Sequence, residues 1–244
     1  MSFWVFLGLC GVSFIGSFIA AALGLGGGLL VLATMSLVLP PTVLIPLHGM
    51  VQLGSNGFRM VLMRRSITLS IVPPFVLGSM IGSFAGGGMV FGLDTWVLHL
   101  ILGLFVLYAT WMPGFRSRPP GPAKFFGVGM LSGFSTMFVG GSGPMVAPFV
   151  FAACPERQRM VATHATLMTT QHLFKIIAFG VLGFAFGPYL PLLIGLLAFG
   201  VAGTYCGRLA LDHLPERLFR IALRAILTLL GIRLLYAAAT SYLN

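Results

Sequence analysis

In LHGMVQLGSNGFR (residues 47–59), His48, Gln52, Ser55, Asn56 and Arg59 fall at i, i+4, i+7, i+8 and i+11, the spacing that places side chains along one face of an α-helix. The surrounding residues are apolar, so this face is paired or wet while the others meet lipid or core. A second stretch, THATLMTTQHLFK, carries His164, Met168, Gln171, His172 and Lys175 in the corresponding places, each 116 residues after its counterpart. The chain therefore reads as an internal duplication with a polar-row helix in each copy. A buried row of cations, imidazoles and amides without acids suits a negatively charged ligand, and imidazole can also carry a proton near neutral pH.

Two other chemistries are open to these residue types. His164, Met168 and His172 could hold a soft metal ion, but the first copy offers His48, Gln52 and Asn56, which are poor ligands for one. Gly140-Gly141-Ser142-Gly143 matches the GxSG string of rhomboid-like intramembrane proteases, with Ser142 as nucleophile. Its counterpart in the first copy is Gly26, which has no hydroxyl, so the shared property is exposed backbone. A soft-metal transporter and a serine protease stand as alternatives; neither a metal site nor a catalytic residue is assigned.

The elements that position these rows follow from composition. The 244 residues are 58% hydrophobic and only 7% charged, too apolar for a soluble domain. Apolar runs near 20 residues long imply membrane-spanning helices, because only helices and closed barrels satisfy the backbone in hydrocarbon. The fold class is all-α, a polytopic integral membrane protein in a lipid bilayer. The 14 Lys+Arg against 4 Asp+Glu lie mostly in loops, where they set orientation, and imply no nucleic acid. Cys10, Cys154 and Cys206 form no CxxC or Cys/His group and read as small buried apolar residues. Without a basic residue before Arg59, the first apolar run lacks the positive start of a secretory signal and reads as a retained helix.

In order, the expected helices are 3–23, a short run 29–39 after GLGGG, the polar-row helix 42–63, 67–92 with the ladder Gly78, Gly82, Gly86, and 96–112. The Pro- and Arg-rich link 113–122 is the seam. The plan then repeats as 125–139, a short run 144–154 after GGSG, 155–182, 190–207 and 215–239. The domains are thus an N-terminal membrane repeat 1–112, an inter-repeat loop 113–122 and a C-terminal membrane repeat 123–244. Basic clusters at Arg64-Arg65, at Arg116, Arg118 and Lys124, at Arg157 and Arg159, and at Arg208, Arg217 and Arg220 all fall on one side if each half has a helix, a returning half-helix and three spans. Both termini are then outside and the two repeats are inverted. Inverted repeats with broken helices are a common plan of secondary transporters, whose substrate sites form near the midplane.

The glycine turns would leave half-helix N–H groups facing inward, where they bind anions. The expected binding residues are Gly26, Gly27 and Gly28 with His48, Gln52, Asn56 and Arg59 in one copy, and Gly141, Ser142 and Gly143 with His164, Gln171, His172 and Lys175 in the other. Inversion places Arg59 toward the cytoplasmic side and Lys175 toward the opposite one. For Arg59 the alternative is a side chain that snorkels to the interface beside Arg64. Asp94, Glu156, Asp212 and Glu216 read as loop or cap residues.

GLGGGLLVL with its short helix, the LHGMVQLGSNGFR row, and GGSGPMVAPFV followed by ATHATLM together resemble the TauE/SafE sulfite exporter family. The resemblance spans nearly the whole chain. It implies a two-repeat protein of the bacterial inner membrane that exports sulfite, sulfoacetate or a related sulfur-containing anion, with no cofactor. Many members have a proline a few residues after the glycines and a Thr-Ser pair in the following helix. Here the second copy keeps Pro148, the first has Leu32-Ala33, and His48-Gly49 stands at the Thr-Ser position, which marks a distinct branch. The expected partners are a small anionic substrate and protons. A homodimer and a passive channel both remain compatible with the sequence.

Overall fold

The computed structural model describes residues 2–24, 26–90, 92–111, 120–210 and 216–243, the side chains of 216–220 and 222 excepted. Most of the expected loop 113–122, with Arg116 and Arg118, lies outside the described residues, as do Asp212 and the side chains of Glu216, Arg217 and Arg220. Among the described residues all regular structure is helical. The first five helices are α1 Phe3–Leu23, α2 Gly27–Met35, α3 Pro41–Leu62, α4 Val72–Val90 and α5 Thr95–Trp111. The next five are α6 Pro122–Val139, α7 Gly143–Ala153, α8 Arg157–Val181, α9 Leu190–Ala210 and α10 Glu216–Leu243. By length and composition Phe3–Leu23, Leu69–Val90, Gly187–Ala210 and Leu223–Leu243 can each cross a bilayer, and the chain is a polytopic helical membrane protein.

The boundaries follow local chemistry. Gly24 and Gly140 end α1 and α6 at φ 84° and 72°, in the left-handed region open to glycine. Pro41 opens α3 and Pro122 opens α6, where the missing N–H costs nothing. The short run expected over 29–39 is helical only over Gly27–Met35, and the largest shift from expectation falls at the start of α4. The helix expected over 67–92 begins only at Val72, after two 3₁₀ turns at Arg64–Ser66 and Leu69–Ile71. Pro73-Pro74 thereby sit in the first turn of α4, because deeper in a helix each ring would clash with the carbonyl four residues back.

Helix packing follows the small residues. A Cβ on Gly78 or Gly82 of α4 would lie 2.0 Å from the carbonyl oxygens of Phe126 and Met130 of α6, so the two backbones touch directly as apolar burial in lipid could not make them do. Gly203 and Gly207 of α9 meet the carbonyls of Phe14 and Phe18 of α1 in the same way, at 2.1 and 2.3 Å. In both pairs residue numbers rise together, so the helices are parallel. The central pair is antiparallel: Gly49 of α3 faces Lys175 and Ile176 of α8, while Gly57 faces Thr169. α5 and α10 are antiparallel too, with Trp96 against Tyr242 and Trp111 Nε1–H donating to Thr228 Oγ1 at 3.0 Å.

Large apolar side chains such as Trp4, Leu69, Val181 and Leu229 face outward, while His48, Gln52, Asn56, Arg59, His164, Gln171, His172 and Lys175 are buried. The polar rows of α3 and α8 therefore form the inside of the bundle.

Candidate functional site

The rows and the short helices meet around one cavity of about 50 Å³. From α2, its cap and α3 it is lined by Gly26, Gly28, His48, Gln52, Asn56 and Arg59. The turn before α7, α7 and α8 contribute Gly141, Gly143, His164 and His172. Four expected residues lie beside the cavity without lining it. Gly27 packs against the Gly16 carbonyl of α1. The Ser142 hydroxyl donates to Gln171 Oε1 at 2.6 Å, and Gln171 Nε2 in turn donates to Ser132 Oγ at 2.9 Å. Gln171 is no base, so this bonding does not activate Ser142 as a nucleophile. The Lys175 ammonium donates to the carbonyl of Gly140, the residue that ends α6, a place where a cation complements the helix dipole.

Arg59 does not snorkel. Its side chain is 1% exposed, with Nη1 donating to Asn56 Oδ1 at 3.4 Å and Nη2 to Ser55 Oγ at 3.5 Å. Its Nε–H has no partner. Asn56 is held by Gln52, donating to the backbone carbonyl at 2.8 Å and to Oε1 at 3.1 Å. One turn after another, α3 thus aligns a guanidinium, an amide pair and an imidazole. Among the described residues no Asp or Glu lines the cavity, so Arg59 brings to it a positive charge that no described acid balances.

The histidines differ in their bonds. Both ring nitrogens of His48 face carbonyl oxygens, Nδ1 at 3.0 Å from Gly140 and Nε2 at 3.0 Å from Gly28. His164 Nε2 lies 3.1 Å from the Gly143 oxygen and therefore carries the proton, which leaves Nδ1 as an unpartnered acceptor. His172 Nδ1 is also buried without a partner, and its ring stands edge-on to His48 with centroids 6.1 Å apart. Among the described residues no group of three or more His, Cys, Asp or Glu is placed to share a metal ion. Met168, which the spacing rule placed beside these histidines, also lines the cavity; Leu29 and Pro144 do so too, but as plain apolar residues they gave no signal.

Two helix N-termini border the walls. The cap residues Gly26 of α2 and Ser142 of α7 make no side-chain capping bond, and Gly26, Gly28 and Gly143 line the cavity, at helix starts whose first N–H groups lack intrahelical partners.

A multi-pass helical bundle with a cavity edged by polar side chains between two short, glycine-started helices has the construction of a membrane transporter. The sequence places it more closely. The family model for the sulfite exporter TauE/SafE matches residues 9–234, and the chain belongs to that family. No curated protein and no solved structure matches the chain.

Proposed function

We propose that this protein is a secondary transporter that exports a small sulfur-containing anion, sulfite or a sulfonate, across the bacterial inner membrane, coupled to the proton gradient. The observation that carries the reading is convergence: Arg59 and two helix N-termini without a side-chain cap border one cavity that no acid lines among the described residues. Each is a recognised anion-binding device. A cavity of about 50 Å³ suits a compact group of a few heavy atoms, since a single water needs roughly 10–15 Å³ on the same scale.

In this reading Arg59 and the N–H groups near Gly27, Gly28 and Gly143 bind the anion. Gln52 and Asn56 hold the guanidinium, and Lys175 adds charge through the Gly140 carbonyl. The halves 1–112 and 123–244 are inverted repeats, as the antiparallel α3/α8 and α5/α10 pairs support, and both termini lie outside.

Exchange of access comes from rocking of one half against the other. Unequal packing of the halves supports this. α10 lies on α2, with Leu223 against Gly26, while the corresponding helix α5 leaves beside α7 a groove of about 420 Å³ lined by Tyr108, Pro148 and Phe149.

The test is flux in proteoliposomes for sulfite, sulfate, thiosulfate, sulfoacetate and a simple carboxylate, each with and without a proton gradient. Saturable movement of one sulfur oxyanion, altered by the gradient, is the expected result. Movement of none of them by folded protein overturns the proposal and reopens the metal reading.

A further inference from the structure

We infer, resting on the anion-export reading, that His48 is the proton carrier of the transport cycle: it binds one proton when the anion occupies the cavity, and the two cross together.

The inference starts from two distances. Both ring nitrogens of His48 sit 3.0 Å from carbonyl oxygens. A carbonyl only accepts, and a neutral imidazole has one N–H. In the neutral ring one of these contacts sets lone pair against lone pair and must open. With a proton added, both contacts become N–H···O bonds. The ring then ties Gly28, in the first turn of α2, to Gly140, at the end of α6. These elements belong to different halves of the chain, so the added proton on His48 completes a bridge between them that the neutral ring makes only in part.

The charges around the ring decide when the proton can stay. On α8, Lys175 donates to the same Gly140 oxygen, His172 stands edge-on to the ring, and His164 lines the cavity beyond it. On α3 itself, Arg59 lies eleven residues on, about 16 Å along the axis. Among the described residues α1, α2 and α7 contribute no titratable side chain to the lining, and no acid is present there. A second cation beside Lys175 in this setting needs a counter-charge, and a bound anionic substrate supplies one. Anion and proton therefore favour each other's binding, and linkage makes the effect reciprocal. A dianion accompanied by one proton crosses with a net single negative charge, so an inside-negative potential drives it outward.

Liposomes are loaded with sulfoacetate, whose sulfonate and carboxylate are both ionised near neutral pH and bring no proton of their own, an internal pH dye reads protons while anion efflux is assayed, and protein-free liposomes give the baseline for leak. Wild type should release about one proton per anion, the charge change of one imidazole. His48→Gln, which cannot titrate, should slow efflux and bring the proton-to-anion ratio to the baseline. His172→Gln should slow efflux with the ratio kept. Should His48→Gln not fold, ring-¹⁵N spectra of wild type decide: saturation with the anion should convert one histidine ring from one N–H to two. Anion efflux without protons, an unchanged ratio in His48→Gln, or rings that all stay neutral with anion bound overturns the inference and leaves anion export standing. Absence of any anion flux in wild type overturns both.

Discussion

Replacing Arg59 by methionine separates binding from stability, because the two should move in opposite directions. The guanidinium has five N–H donors; two are spent on long contacts to Asn56 and Ser55 at 3.4 and 3.5 Å, and Nε is unpartnered. The fork is thus held loosely, with donors to spare for an oxyanion. A hydrogen bond to a charged group contributes about 1.5–3 kcal/mol, which corresponds to roughly 10- to 150-fold in affinity. Arg59→Met should weaken anion binding within that range. Arg59→Lys, which keeps the charge and loses the fork, should fall between it and wild type.

Stability without anion should not fall in Arg59→Met, since a fully buried cation without an acid is a cost to the fold. The assay is thermal unfolding of detergent-solubilised protein over an anion titration. At an anion concentration of about 100 times its Kd, wild type gains about 2.7 kcal/mol, whereas a variant bound 100-fold more weakly gains only about 0.4 kcal/mol at the same concentration. Equal stabilisation of wild type and Arg59→Met by the anion would refute the assignment of Arg59 to binding. A variant that melts far lower without anion would instead make Arg59 a structural strut.

The remaining expectations concern the scaffold. Gly82→Ala puts a methyl 2.0 Å from the Met130 oxygen and should cost about 1–3 kcal/mol or more, while Gly88→Ala, with nothing within 4 Å, should leave the melting temperature unchanged or slightly higher. Gly103→Cys with Leu234→Cys should cross-link on mild oxidation, because a Cβ on Gly103 lies 3.1 Å from that of Leu234, close to disulfide reach. Gly103→Cys with Leu223→Cys should stay reduced, and cross-linking of that second pair would contradict the antiparallel α5/α10 arrangement. Serine-reactive probes should not label Ser142, and Ser142→Ala should cost about 1 kcal/mol through the bond lost to Gln171; labelling of wild type but not of the variant would restore the protease reading.

How far the sequence carried depended on the range of each force. Hydrocarbon sets the length of a spanning helix, and so Phe3–Leu23 was legible to the residue. Helical period put His48, Gln52, Asn56 and Arg59 on one face, and all four line the cavity. The start of α4 was not legible from hydropathy, since the run of apolar residues continues across Leu69–Ile71 and only Pro73-Pro74 mark the true first turn. Nor did the matched spacing carry through to the two cations. Arg59 and Lys175 occupy corresponding positions, yet one lines the cavity and the other reaches a helix end. The difference lies on the facing helix: a Cβ at Gly49 would stand 2.7 Å from Lys175 Cε, so the lysine stem passes through the space that glycine leaves. The counterpart of Gly49 is Ala165, which carries the methyl that Gly49 lacks. His48 is the sharper case. Its helix and face follow from period alone, but its chemistry comes from two carbonyls 20 and 92 residues away, each brought to the ring by a glycine turn. A pattern along one helix can announce that an imidazole is buried. What that imidazole can bind is fixed by the acceptors that other elements aim at it, and here two acceptors face one ring, which only its protonated form can satisfy together.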